Sequence, residues 1–257
     1  VITGAGSGFG RALALLLAER GARLLLADKD ETTANETAEL ARAKGAKEAR
    51  AVGCDVTRLE DVKSLAASRA GAVDLLVNNA GVGSGGAVGA APIEDWRWTL
   101  EVNLFGVIHG CHVFVPMLRE QGHGHVLNVA SAAGFLSAPQ MGAYNVSKAG
   151  VVALSETLSA ELLGTRIGVT VVCPTFFQSG IIESGRFHDK EQRERGRKLV
   201  AKGKTAESVA RAALASVDKG RLYCVPMADA RALWRLKRLA PESFSTVAAK
   251  VVDRATR

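Results

Sequence analysis

Apolar strand-like runs alternate with helical segments along most of the chain, and the first joint, VITGAGSGFGRALALLLAERGA, turns a strand into a helix through a glycine-rich loop. The pattern repeats: RLLLAD, a helix through about Lys44, EARAVGCDV, a short helix over residues 58–70 and then VDLLVNNAG. Strands spaced by helices call for a parallel sheet, and their near-continuous apolar character requires cover on both faces. The expected fold is therefore α/β, a Rossmann-type doubly wound parallel sheet with helices on both faces and right-handed crossovers. At 257 residues with no repeat, linker or low-complexity tract, one domain is the expected organisation.

Farther along, a long helical segment is expected over residues 93–119, with Pro116 near its end, followed by the strand GHVLNVAS and a helix reaching about Leu163. After the strand IGVTVVCP, residues 175–204 begin apolar and become highly charged, as expected either of a mobile insertion or lid over a site or of a plain solvated loop and helix. A helix over residues 208–217, the strand RLYCVP and two C-terminal helices over residues 228–255 complete the expected elements.

Composition excludes disorder, with 47% hydrophobic and 23% charged residues. The uninterrupted apolar runs are far shorter than the ~20 residues that span a bilayer. The net charge of +7 suits an acidic ligand, yet the basic clusters at residues 186–204 and 231–238 carry no nucleic-acid motif, so no nucleic-acid partner is expected. In the second cluster Leu233, Trp234, Leu236 and Leu239 stand beside Arg231, Arg235, Lys237 and Arg238. Packing on the body or another subunit is the expected role, with membrane-surface contact a minor alternative. Cys54, Cys111, Cys173 and Cys224 are dispersed without metal-ligand spacing, so no metal is expected and a reducing cytoplasm is the simplest setting. The chain begins at Val1 inside a strand, which leaves a preceding targeting segment open.

The glycine loop and residues 131–148 carry the chemistry. Glycines permit a tight turn and close approach of a pyrophosphate, while the amides and positive dipole end of the following helix favour an anion. The spacing Gly4-x-x-x-Gly8-x-Gly10 differs from the usual G-x-G-x-x-G. Asp28, ending the second strand, suits ribose hydroxyls and opposes a 2′-phosphate, which points to NAD over NADP; Lys29 beside it weakens that inference, and capping the next helix is the other role open to Asp28. Tyr144 and Lys148, four residues apart on one helix, project from the same face, with Ser131 thirteen residues before Tyr144. An ammonium beside a phenol favours phenolate and lowers its pKa toward the range of a working acid or base.

With these parts in order, the chain resembles the classical short-chain dehydrogenase/reductase family over nearly its whole length: TGAGSGFG, CDV at residues 54–56, NNAG at residues 78–81, Asn103, Ser131 and YNVSK at residues 144–148. The resemblance implies a dinucleotide held by Thr3, Gly4, Ser7, Gly8, Phe9 and Gly10, with Asp28 on the adenosine ribose, Asp55 and Val56 beside adenine, and Asn79, Ala80 and Gly81 as the floor. It implies that Ser131 binds the substrate oxygen, Tyr144 exchanges its proton, Lys148 binds the nicotinamide ribose, and Asn103 holds a water linking Lys148 to solvent. Pro174, Phe177 and Ser179 fall to the nicotinamide carboxamide, although Thr175 replaces the glycine usual after Pro174 and puts the turn there in doubt.

The expected activity is interconversion of a secondary alcohol and a carbonyl on a small, largely apolar substrate, walled by Phe135, Leu136, Met141, Phe176, Phe177, Ile181 and Ile182, with core packing an equal explanation for several of them. A catalytically silent dinucleotide-binding sensor is the alternative, and its signature would be replacement of Asn103, Ser131, Tyr144 or Lys148. Lyase or epimerase chemistry on bound NAD suits the compact length less well. The resemblance also implies a homodimer or homotetramer built on the long helices.

Overall fold

The computed structural model describes residues 1–242 and Phe244; most of the second C-terminal helix expected from the sequence lies outside the described residues. The elements alternate as β1 (Ile2–Thr3), α1 (Gly8–Glu19), β2 (Arg23–Asp28), α2 (Glu31–Ala43), β3 (Glu48–Gly53), α3 (Leu59–Ala67) and β4 (Leu75–Asn78). There follow β5 (Ser84–Gly85), α4 (Ile93–Leu100), a π-helical turn (Glu101–Phe105), α5 (Gly106–Gln121), β6 (Gly124–Val129), α6 (Ala133–Leu136) and α7 (Gly142–Glu161). The remainder is β7 (Ile167–Val172), β8 (Arg186–Phe187), α8 (Lys190–Ala201), α9 (Ala206–Val217), β9 (Tyr223–Cys224) and α10 (Ala228–Leu239).

Seven strands form one parallel sheet in the order β3-β2-β1-β4-β6-β7-β9. The α/β fold expected from the alternation is therefore present. The chain leaves the β1 edge in one direction through β2 and β3, then returns to build β4, β6, β7 and β9 on the other side. Crevices form at such a reversal, outside the carboxyl ends of the strands. The loops after β1, β4 and β6 open there, and β2 and β7 end on the same edge.

The apolar pattern explains the layers. Leu24, Leu25, Leu26 and Ala27 are buried along β2, while Phe9, Leu13 and Leu16 recur at helical spacing on the buried face of α1. Phe114, Leu118, Leu76 and Leu127 are fully enclosed, each stabilising the fold by about 1.5–3 kcal/mol relative to an exposed side chain. All four cysteines are free and buried, and burial pushes the Cys54 and Cys111 thiols up to about 11.

The segment Ile93–Gln121 is a continuous helix long and apolar enough to cross a bilayer, with a window of mean hydropathy 1.3, and is the one such segment among the described residues. The sequence runs did not reveal it because polar residues interrupt them. Val107, Cys111, Phe114 and Leu118 are buried against the sheet, which makes it a core helix. Pro116 lies inside α5, five residues before its last residue Gln121 and so near the helix end as expected. Both Pro116 and His112, whose carbonyl loses its amide partner, face solvent, where water can satisfy that carbonyl.

The C-terminal basic helix α10 lies on the body. Trp234 packs between Phe135 and Tyr223, at ring separations of 5.7 and 4.9 Å, and Arg231 donates to the Val225 carbonyl. Leu233, Leu236 and Leu239 remain exposed on its outer face.

Candidate active site

The glycine loop is built so that backbone, and not side chain, faces the crevice. Gly4 and Gly8 have φ of 63° and 51°, and a Cβ on Gly10 would stand 2.2 Å from the Gly4 carbonyl oxygen. Ser7 precedes α1 in an extended conformation without capping it, and no acidic residue occupies the first turn. The opening amides of α1 are thus unclaimed by any capping side chain and lie at the positive end of the helix dipole.

Thr3 and Asn79 tie this loop to the one after β4. The Thr3 hydroxyl accepts from the Asn79 and Ala80 amides at 3.0 and 3.2 Å, and Asn79 Nδ2 donates to the Thr3 and Gly4 carbonyls at 2.8 Å each. The end of β2 is equally ordered. Asp28 accepts from the Gly6 amide at 2.8 Å and the Asp30 amide at 3.1 Å. It does not cap α2, because Asp30 does, through the Thr32 and Thr33 amides. Lys29 is paired with Asp55 at 3.0 Å, and Asp55 also accepts from Thr57; Val56 is buried beside it. Arg11 is committed to Glu36, Thr37 and the Thr33 carbonyl.

Across the crevice, α7 carries Tyr144, Ser147, Lys148, Val151 and Ser155 on its buried side. Tyr144 and Lys148 face the carboxyl end of β6, where the Lys148 ammonium donates to the Val129 carbonyl at 3.0 Å and lies 5.8 Å from the Tyr144 ring centre. Ser131 lies beside the Tyr144 hydroxyl and favours its ionised form. Ser131 Oγ in turn accepts from the Ala133 amide and donates to the Pro174 carbonyl. Ser131, just past the end of β6, and Tyr144 and Lys148, on α7, thus converge in one buried cluster.

Its electrostatics depart from the sequence expectation. Burial raises the Tyr144 phenol above its ordinary value of 10, an effect that Ser131 only partly offsets. Burial likewise lowers the Lys148 ammonium to about 8. Desolvation dominates at the phenol, so its shift runs opposite to the expected depression, and the ammonium donates to the Val129 carbonyl.

Asn103 lies in the π turn and is fully buried. Its Oδ1 accepts from the Val82 amide at 2.7 Å, and its Nδ2 donates to the Val82 carbonyl at 2.9 Å and to Ser147 Oγ at 3.3 Å. The side chain therefore clamps the loop after β4 to α7. Gly81 lies between the two functional groups, since a Cβ there would sit 3.1 Å from Asn103 Oδ1 and 3.4 Å from Lys148 Nζ.

The segment after β7 folds back over the glycine loop. The Phe177 ring meets Phe9 edge-on at 6.4 Å, and Ser179 is the nearest neighbour of the Gly8 Cβ position at 3.6 Å. Of the expected apolar wall, Phe135 is spent on Trp234, and Ile182 is buried against α8 at Gly196. Phe176 is exposed, and Met141 bridges to Gly86. Sequence reasoning missed β5, β8 and the polar residues that hold them, Asp95, Arg186 and His188. The acid in the first turn of α4 was the available signal, though an acid there is also an ordinary partner of the helix dipole.

Residues 1–189 match the family model for short chain dehydrogenase. The chain belongs to that family. A short chain dehydrogenase/reductase from Burkholderia phymatum, solved in complex with NAD, is 38% identical with a TM-score of 0.88, covering 94% of this chain and 93% of that one. A short-chain dehydrogenase from Sphingobium yanoikuyae in complex with NADPH is 27% identical with a TM-score of 0.79, over 95% of this chain and 94% of that one. Among curated relatives, "Probable oxidoreductase EphD" of Mycobacterium tuberculosis is 34% identical over 96% of this chain. The chain spans 44% of the length of that relative.

Proposed function

We propose that this chain is an NAD(P)(H)-dependent oxidoreductase domain that interconverts a secondary alcohol and a carbonyl on a small, largely apolar substrate, with NAD preferred. The observation that carries the reading is the buried Ser131–Tyr144–Lys148 cluster, facing a crevice whose other wall is a glycine loop fit for a pyrophosphate. When bound, the nicotinamide supplies or accepts the hydride. Residues 3–10 would hold the pyrophosphate, Asp28 the adenosine ribose, Asp55 and Val56 the adenine surroundings, and Asn79 to Gly81 the floor. The cradle suits such a group because a side chain at Gly10 would collide with the loop itself.

The roles of the chain's own groups follow from their positions. Ser131 Oγ, beside the Tyr144 hydroxyl, orients the substrate oxygen. Tyr144 gives its phenolic proton to that oxygen during reduction and takes it back during oxidation. Its raised pKa keeps it a phenol at neutral pH, the form needed to donate. Lys148 would meet the nicotinamide ribose and favour the phenolate left behind, and Asn103 fixes the loop that lies over Lys148. Pro174, Phe177 and Ser179 would border the carboxamide.

Asp28 supports the preference for NAD, since the basic side chains on that side, Lys29 and Arg11, are engaged by Asp55 and by Glu36. A panel of secondary alcohols and ketones, assayed with NAD(H) and NADP(H), tests the proposal. Turnover with NAD(H) at least about tenfold more efficient than with NADP(H) is expected. Preference for NADPH would overturn the reading of Asp28, and dinucleotide binding without any turnover would favour a sensor.

A further inference from the structure

The strongest polar cluster outside the proposed catalytic groups lies where residues 186–189 cross α4. Asp95, in the first turn of α4, has its carboxylate only 10% exposed and accepts from Arg186 Nη1 at 3.0 Å and His188 Nε2 at 2.5 Å. Burial pushes this carboxyl up, and the hydrogen bonds and charges of His188 and Arg186 more than reverse that, leaving it below its ordinary value. The Arg186 guanidinium also stacks on Trp98, 4.2 Å from the ring centre. A buried carboxylate holding two groups more than ninety residues away, both on one short strap, is an expensive arrangement for a surface loop.

What the strap holds explains its value. Its strand β8 pairs with β5, and the Arg186 amide donates to the Gly83 carbonyl at 3.0 Å, so it grips the segment that continues from the Asn79–Gly81 floor. Immediately after it, α8 sends Gln192 Nε2 to the Gln140 carbonyl at 2.8 Å. Gln140 has a φ of 59° and its carbonyl also accepts from the Gly86 amide, so the loop between Ser131 and Tyr144 takes an unfavourable conformation that strap and β5 share in holding.

We propose that Asp95 is a positioning residue for the substrate mouth, anchoring Arg186 and His188 so that the strap and α8 hold the residue 137–141 loop over the Ser131–Tyr144 cluster. The substrate part of this inference rests on the function proposed above, whereas the anchoring part does not. It touches neither the reacting atoms nor the dinucleotide cradle, and its effect passes through Gln192 and Gln140.

Amide hydrogen exchange on the full chain, with Asp95→Asn and Arg186→Met compared with wild type, tests the anchor independently of turnover. Arg186→Met removes an exposed partner and leaves Asp95 in place, so it serves if Asp95→Asn folds poorly. In either folded variant, exchange across residues 83–86, 137–141 and 186–192 should accelerate at least about tenfold, while β6 and β7 stay protected and the NADH dissociation constant changes less than about twofold. For the panel ketone that wild type reduces fastest, KM should rise about tenfold or more with kcat within about threefold. Unchanged exchange at the strap in both variants, or loss of NADH binding with KM unaltered, would overturn the proposal. If the alcohol and ketone panel gives no turnover, and the oxidoreductase reading fails, the exchange result still decides whether Asp95 anchors the strap.

Discussion

At the scale of single residues, Lys148 shows most clearly that the site is not built for stability. Its ammonium is buried with one protein acceptor, the Val129 carbonyl, and falls from an ordinary 10.5 to about 8. Between these values the unfolded chain holds a proton that the folded protein has released, so the cofactor-free protein gains stability as pH rises from about 8 toward 10.5 and bears the full penalty below 8. A shift of that size corresponds to about 3 kcal/mol. Lys148→Met should therefore stabilise the cofactor-free protein at pH 7 by about 2–3 kcal/mol and flatten its stability between pH 8 and 10, as urea titrations would report. Turnover should fall at the same time. A less stable variant with the pH dependence intact would remove Lys148 as its source. The pair Tyr144 and Lys148 was legible in sequence because i and i+4 share a helix face, but the direction of the Tyr144 shift was not, since spacing carries no information about desolvation.

At the scale of elements, the carboxyl end of β2 and the loop after β1 act together, because the Asp28 carboxylate holds the Gly6 amide. Asp28→Ala removes both a charged acceptor and a loop anchor. It should reduce kcat/KM with NAD about 10- to 100-fold, the worth of one or two charge-assisted hydrogen bonds, while narrowing the gap to NADP. Steady-state kinetics with both cofactors would reveal it, and an unchanged NAD efficiency would displace Asp28 from the cradle. Gly10→Ala, whose Cβ has no room beside the Gly4 carbonyl, should destabilise the fold by about 1–3 kcal/mol and weaken NADH binding. An alanine variant as stable and as avid as wild type would contradict that packing. The main strands and helices were readable because each carries an apolar run or a helical period long enough to be specific. Two-residue strands such as β5 and β8 carry neither, and their pairing depends on Asp95 contacts that cross ninety residues. The π turn at Asn103 was equally hidden, because one extra residue in a turn leaves the apolar pattern of a long helix nearly unchanged.

At the scale of the whole molecule, the strand order gathers short segments from across the chain onto one edge of one sheet. The polar groups proposed for chemistry are buried there, while Phe105 and Val146 on the long helical segments remain 43% and 49% exposed. We propose a homodimer or homotetramer built on these two helical segments, with Phe105 and Val146 at the seam. Light scattering after size exclusion should give two or four chains, and Phe105→Glu with Val146→Glu should give a smaller species; an unaltered assembly would move the interface elsewhere. The central claim is that one phenol moves the substrate proton. Its most direct test is Tyr144→Phe, assayed on the alcohol and ketone panel alongside NADH binding. The account predicts turnover lowered about 10²- to 10⁴-fold with the NADH dissociation constant within about threefold of wild type. Turnover near the wild-type rate would contradict it.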